Sequence, residues 1–195
     1  MMFIQCRYLK KRKITQRFLL LQILVASLVS FCLTGCSARS DDTKVFDVAQ
    51  LENEDGTFQY QDIPFGSSYE EAAKKIPLTF TKMESESSPS VATYCASIEF
   101  YGEKAVLYLD FSDDRLDVVK VQFNDSKNGE MFDQIVQQLV SQYGEADTHE
   151  GENATKYFTT LEIYKWEQEE TFLNAILTKT ESEFVGVVGV GTILN

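Results

Sequence analysis

The chain has 195 residues, 44% of them hydrophobic, and its 30 acidic against 18 basic side chains give a formal charge of −12. That length and apolar share suit a single domain with a substantial core. The acidic excess disfavours nucleic acid, whose phosphates it repels. The charge is also unevenly placed. Residues 1–35 hold six of the basic side chains and no acid, which leaves 12 basic against 30 acidic groups, or −18, for the remainder. Such a surface suits a cationic partner or loosely held divalent ions, and net charge of this size also serves plain solubility.

The first 35 residues fall into zones. Arg7, Lys10, Lys11, Arg12, Lys13 and Arg17 form a basic segment, and an apolar run from Phe18 to Leu33 follows, interrupted by Gln22, Ser27, Ser30 and Cys32. Basic, then apolar, then small is the order of a secretory signal, with the positive flank retained in the cytoplasm. The alternative is an uncleaved membrane helix. Phe18 to Gly35 is at the short end of the roughly 20 apolar residues that a span requires, and the solvated stretch Ser37-Ala38-Arg39-Ser40-Asp41-Asp42 follows at once.

Leu33-Thr34-Gly35-Cys36 resembles the lipobox of bacterial lipoproteins. The resemblance implies a diacylglyceryl group on the Cys36 thiol and cleavage between Gly35 and Cys36. It places the mature protein on the extracytoplasmic face of the cell membrane, held there by lipid. Two acyl chains anchor stably where one is marginal, at roughly 0.8 kcal/mol per buried methylene. Cys6 and Cys32 would leave with the leader, so Cys95 would be the only other cysteine of the mature chain. It falls in an expected strand, where a small apolar filler is the simplest role.

Three segments are expected: a signal peptide over 1–35, a flexible acidic tether over 36–57, and one extracytoplasmic domain over 58–195. The tether reading rests on Asp41, Asp42, Glu52, Glu54 and Asp55 and the turn signal Asp55-Gly56. A first helix is signalled by Ser67 with Glu70 three residues on, by the stripe Tyr69, Ala72, Ala73, Ile76, and by Pro77 as its stop. Period-two alternation then marks three strands, about Tyr94–Phe100, Ala105–Phe111 and Val118–Phe123, joined by short polar turns as an antiparallel meander. Phe132, Ile135, Val136, Leu139, Val140 and Tyr143 repeat at helical spacing, with Asn128 to cap the start and Gly144 the end. A polar loop, Glu145 to Asn153, precedes three last strands near 158–166, 172–179 and 184–194. The expected class is α+β: an antiparallel sheet with two helices on one face, in an αβββ pseudo-repeat.

Ile63-Pro64-Phe65-Gly66-Ser67-Ser68-Tyr69-Glu70-Glu71-Ala72 resembles the opening motif of small extracytoplasmic α+β modules, the β-lactamase-inhibitor-like and SmpA/OmlA-type lipoprotein domains. Gln142-Tyr143-Gly144-Glu145 is similar to the Tyr-Gly that ends their helices, although no Pro follows it closely here. The resemblance implies a protein-binding or assembly module and transfers no binding residue.

Reactive constellations are sparse. His149, the only histidine, has no second His four residues on and no helix to carry a zinc motif, and no Gly-x-Ser-x-Gly elbow exists to pair with it, so a solvated loop residue is expected. Gly186-Val187-Val188-Gly189-Val190-Gly191 lacks the spacing and the following helix of a nucleotide loop; glycines in a last strand point to bulges or close packing. Asp110, Asp113, Asp114 and Asp117 crowd one hairpin, a weak ion site or merely turn residues. Trp166 beside Tyr164 reads as a core or cross-strand pair, or as an aromatic contact for a partner. Neither a cofactor nor a metal is expected. The reading is a membrane-anchored, non-enzymatic lipoprotein that binds a protein or envelope component. The alternatives are a small envelope hydrolase working through carboxylates, and a ligand- or ion-binding accessory lipoprotein.

Overall fold

The structure is a computed structural model, and it describes residues 46–83, 90–154 and 159–193. Gly35 and Cys36, with the whole leader, lie outside the described residues. All described residues belong to one compact unit.

The protein is predominantly β. Nine strands form one antiparallel sheet: β1 (Thr81–Lys82), β2 (Val91–Phe100), β3 (Glu103–Ser112), β4 (Arg115–Asn124), β5 (Thr148–Glu150), β6 (Asn153–Ala154), β7 (Thr159–Gln168), β8 (Thr171–Lys179) and β9 (Phe184–Thr192). The spatial order is β1-β2-β3-β4-β9-β8-β7-β5, with β6 paired to β7. Among the described residues two α-helices accompany it, α1 (Tyr69–Lys75) of 7 residues and α2 (Glu130–Tyr143) of 14. The expected α+β class is thereby corrected. Helix α1 spans two turns and buries only Ala72 among its own residues, so the helices do not form a layer comparable to the sheet.

The hairpin chemistry is explicit. Tyr101-Gly102 and Asp113-Asp114 each link two strands with φ positive at both residues, 53° and 80°, then 49° and 61°. Those values are the mirror-image turns whose twist matches paired strands. Alternate residues then divide the sheet into two faces. One face supplies Leu107, Leu109, Val119, Val121, Leu173, Ala175, Val188 and Val190 to a single core, which the helices complete with Ala72, Phe132, Ile135 and Leu139.

Helix α1 begins one residue later than the sequence suggested. Ser67 is held in extended pairing, its carbonyl accepting from Leu116 N–H at 2.9 Å, while its hydroxyl donates to Pro64 O. The capping box therefore forms on Ser68 and Glu71. At α2 the expected Asn128 cap is replaced. Asn128 takes φ 59° and Gly129 φ 104° at the helix start. Buried Asp125 does the capping instead, accepting from Phe132 N–H through Oδ2 and Lys127 N–H through Oδ1, each at 2.9 Å. Gly144 closes the helix with φ 81°, its N–H donating to Val140 O at 2.9 Å.

The segment expected as a tether also differs from residue 46 onward. Phe46, Val48 and Leu51 are buried in the core, and Val48–Gln50 form a 3₁₀ turn capped by Asp47. The Tyr143 hydroxyl pins this segment to α2: it accepts from Leu51 N–H and donates to Val48 O, both at 2.9 Å. Phe58 N–H donates to Thr171 Oγ1 at 2.9 Å, and Phe58 meets the Tyr143 ring edge-on at 5.5 Å. The buried apolar residues Phe46, Val48 and Leu51 are spaced two and three residues apart, with Asp47 among them and the acids Glu52, Glu54 and Asp55 after them.

Candidate functional site

The face of the sheet opposite the helices carries the polar chemistry. Its residues follow from the register. One row across the sheet reads Thr93, Asp110, Val118, Gly191, Phe172, Glu167; the next reads Cys95, Tyr108, Lys120, Gly189, Asn174, Lys165. The centre is an ion pair between Lys120 Nζ and Asp110 Oδ2, with side chains only 12% and 11% exposed. The Thr93 hydroxyl donates to Asp110 Oδ1 at 2.8 Å, so both carboxylate oxygens are engaged. Lys120 also lies over the Tyr108 ring, 5.6 Å from its centroid.

Two charges held so far from water lose much of their hydration, and their attraction repays that only when the remaining hydrogen bonds are made. Here Thr93 completes the set on Asp110. A second pair, Lys165 with Glu167, stands at the other side of the same face, and Lys165 lies 5.8 Å from the Phe172 ring centroid. Between them, Asn174 Oδ1 is buried and has no hydrogen-bond partner among the described residues. Val106, Val118 and Ile176 are half-buried on this face. Two ion pairs and three aliphatic side chains share this face, whose centre is buried: Tyr108 is 0% exposed and Asp110 8%.

The glycines of β9 have a packing role. A Cβ on Gly186 would lie 2.1 Å from Phe123 Cζ, and one on Gly191 would lie 2.7 Å from Phe172 Cζ. At Gly189 it would meet Lys120 Cβ at 2.7 Å and Val119 O at 2.9 Å. The missing side chains let rings from β4 and β8, and the Lys120 stem, lie flat across the central strand.

The acids of the β3–β4 hairpin do not converge. Asp110 is committed to Lys120 and Thr93, and Asp113 and Asp114 form the exposed turn. Among the described residues, no group of three or more His, Cys, Asp or Glu is placed to hold a metal ion. Cys95 is buried in the same row as Tyr108. Trp166 is 2% exposed, its Nε1 donating to Gly144 O at 2.8 Å, so the partner-facing reading of that ring is withdrawn. His149 lies on strand β5 instead of in a loop. Its side chain is 53% exposed, and its ring stacks on Tyr164.

No family model, curated protein or solved structure matches this chain. The arrangement is therefore read from its own geometry. The Asp110–Lys120 pair is what sequence reading missed, because Asp110 was grouped with the turn acids. Counting back from the turn at 113–114 places residues 110 and 120 on neighbouring strands. The bulge at Asp110/Phe111 leaves them diagonal on one face.

Proposed function

We propose that this protein is an extracytoplasmic lipoprotein, anchored to the cell membrane through Cys36, whose folded domain binds a protein partner without catalysing a reaction. The observation that carries the reading is the leader: a basic segment, an apolar run, then Leu33-Thr34-Gly35-Cys36. The resemblance of 63–72 to the opening of small extracytoplasmic lipoprotein modules supports the binding role. So does the sheet face that carries the two ion pairs and the half-buried Val106, Val118 and Ile176.

The packed chain from Phe46 shortens the tether. From Cys36 to Phe46 a fully extended chain reaches roughly 35 Å, about half the reach of a tether running to residue 57. The proposed partner is therefore met close to the membrane surface. Among the described residues no helix is long and apolar enough to cross a membrane.

The test has two parts. Bacteria expressing the chain are grown with a fatty-acid probe; label enters the wild type and is lost in Cys36→Ala. A photo-crosslinking residue is then placed at the half-buried Val118, on the face of the Asp110–Lys120 pair, and, separately, at the exposed Glu70. A discrete crosslinked protein from position 118 and none from position 70 supports the reading. Label retained in Cys36→Ala overturns the anchor, and identical crosslinks from both positions overturn the binding face.

A further inference from the structure

The turn between β2 and β3 holds an aromatic residue where the backbone disfavours one. Tyr101 takes φ 53° ahead of Gly102 at 80°. Asn, Asp or Gly suits the first position of such a turn, and a bulky side chain at positive φ is an outlier. Tyr101 is also 45% exposed, and among the described residues it is the one large hydrophobic side chain that is exposed. Its ring meets Phe100 edge-on at 4.8 Å between centroids, and its hydroxyl donates to Gln138 Oε1 of α2. The ring is thus fixed in position while part of it faces water. A costly backbone state kept at an exposed aromatic residue points to a use.

The chain enters the domain at this same end of the sheet. Phe46, the first described residue, meets Phe100 edge-on at 5.9 Å, and the charge of Asp47 reaches the Tyr101 hydroxyl. Phe46 stands ten residues beyond Cys36. The two ends of the sheet also differ in charge. The end of Tyr101 interleaves Lys104, Lys127 and Lys179 with its acids: Lys104 pairs with Glu99, Ser126 bonds to Glu103, and Lys179 lies in the β8–β9 hairpin. The opposite end carries Asp113 and Asp114 in the β3–β4 turn, Glu169 and Glu170 in the β7–β8 turn, and Glu52, which accepts from Gln168 Nε2. Arg115 follows that first turn, and Lys165 is taken up by its pair with Glu167. The end of Tyr101 is the less acidic of the two.

We propose that the β2–β3 turn is the membrane-facing end of the domain, with Tyr101 seated among the headgroups of the bilayer that holds the Cys36 anchor. The inference rests on the proposed anchor and adds an orientation to it. A phenol ring has an apolar body and a polar tip, which suits the boundary between acyl chains and water. The anchor and its short tether hold the turn at high local concentration beside the surface, so one weakly inserted ring is enough to select which end approaches. A bilayer containing anionic lipid repels the acid-rich end and leaves it projecting into solution. The sheet then stands with its strands rising from the membrane and its β3–β4 and β7–β8 turns farthest from it.

Tryptophan reporters read the contact in protein purified from membranes in its anchored form. It is reconstituted into vesicles of phosphatidylcholine and phosphatidylglycerol, with and without bromine on the phosphatidylcholine chains. Trp166 is buried and gives a common background, removed by subtracting the wild type. Tyr101→Trp should lose emission in the brominated vesicles, whereas Asp114→Trp, in the matching turn at the far end, should lose none. Lys104→Trp gives the same comparison from a residue outside the strained position. Flotation of each sample with its vesicles reports the anchor separately. Quenching at positions 101 and 104 no greater than at 114, in protein that floats, overturns the orientation and leaves the anchor standing. Protein that does not float overturns both.

Discussion

Adding one methyl group at Gly186 tests how the two halves of the sheet are joined. Gly186 lies on β9 between Phe123 of β4 and Leu177 of β8. A Cβ there would stand 2.1, 2.4 and 2.8 Å from three atoms of the Phe123 ring. That ring is 1% exposed and packs on Phe100 at 5.3 Å between centroids, so it has nowhere to retreat without moving the core. Overpacking of this kind costs about 1–3 kcal/mol. For a domain of this size each kilocalorie lowers Tm by roughly 2–4 °C, so Gly186→Ala should melt roughly 2–12 °C below the wild type. Phe123→Leu should lose stability alone, through the smaller side chain, yet partly rescue Gly186→Ala by making room. Urea unfolding of residues 37–195 for both single variants and the double variant gives the coupling. A double variant as unstable as the sum of the singles, or a Gly186→Ala protein as stable as the wild type, would refute the reasoning.

Tyr143→Phe removes the acceptor of Leu51 N–H and the donor to Val48 O; it should cost about 1–3 kcal/mol and speed amide exchange at 48–51 while leaving β3 protected. Lys120→Met strands Asp110 and should cost about 3–5 kcal/mol in urea unfolding, whereas Lys120→Met with Asp110→Leu should recover most of the loss, since an apolar pair avoids the desolvation penalty. Asp133 has its carboxyl raised in the folded state, chiefly by burial and then by neighbouring acids. The folded protein therefore holds that proton more tightly than the unfolded chain does, and ionisation at neutral pH opposes folding. Asp133→Asn should raise stability slightly at pH 7 and make no difference below about pH 3, where both states are protonated; stability profiles of the two proteins against pH check this.

The parts of this fold that could be read from the chain are those whose periodicity outlasts a few residues. Ala105, Leu107, Leu109 and Phe111 alternate over a whole strand, and Phe132, Ile135, Val136 and Leu139 mark one face of α2. Local rules failed where distant contacts decide. Ser67 and Ser68 are equally good caps in isolation, and the choice falls to Leu116, almost fifty residues away in sequence. Asp125 caps α2 from outside the usual capping position, so Asn128 looked the better candidate. In 46–57 the apolar Phe46 and Val48 were visible but outweighed by the acids, and Leu51 was passed over; the burial of all three depends on α2 and the sheet. Strand β5 is three exposed residues with no alternation to detect, so His149 read as a loop residue. Overestimating the helical layer produced the α+β class; α1 is too short to balance nine strands. The candidate face was hardly legible at all, because it depends on register, and one bulge decides that Asp110 meets Lys120.

The proposed anchor is tested most directly by the intact mass of the protein purified from the membranes of a lipoprotein-processing bacterium. The account predicts a polypeptide whose first residue is Cys36, heavier than its sequence by a diacylglyceryl group on sulfur. A chain that begins at Met1, or one that starts at Cys36 with an unmodified thiol, would contradict it.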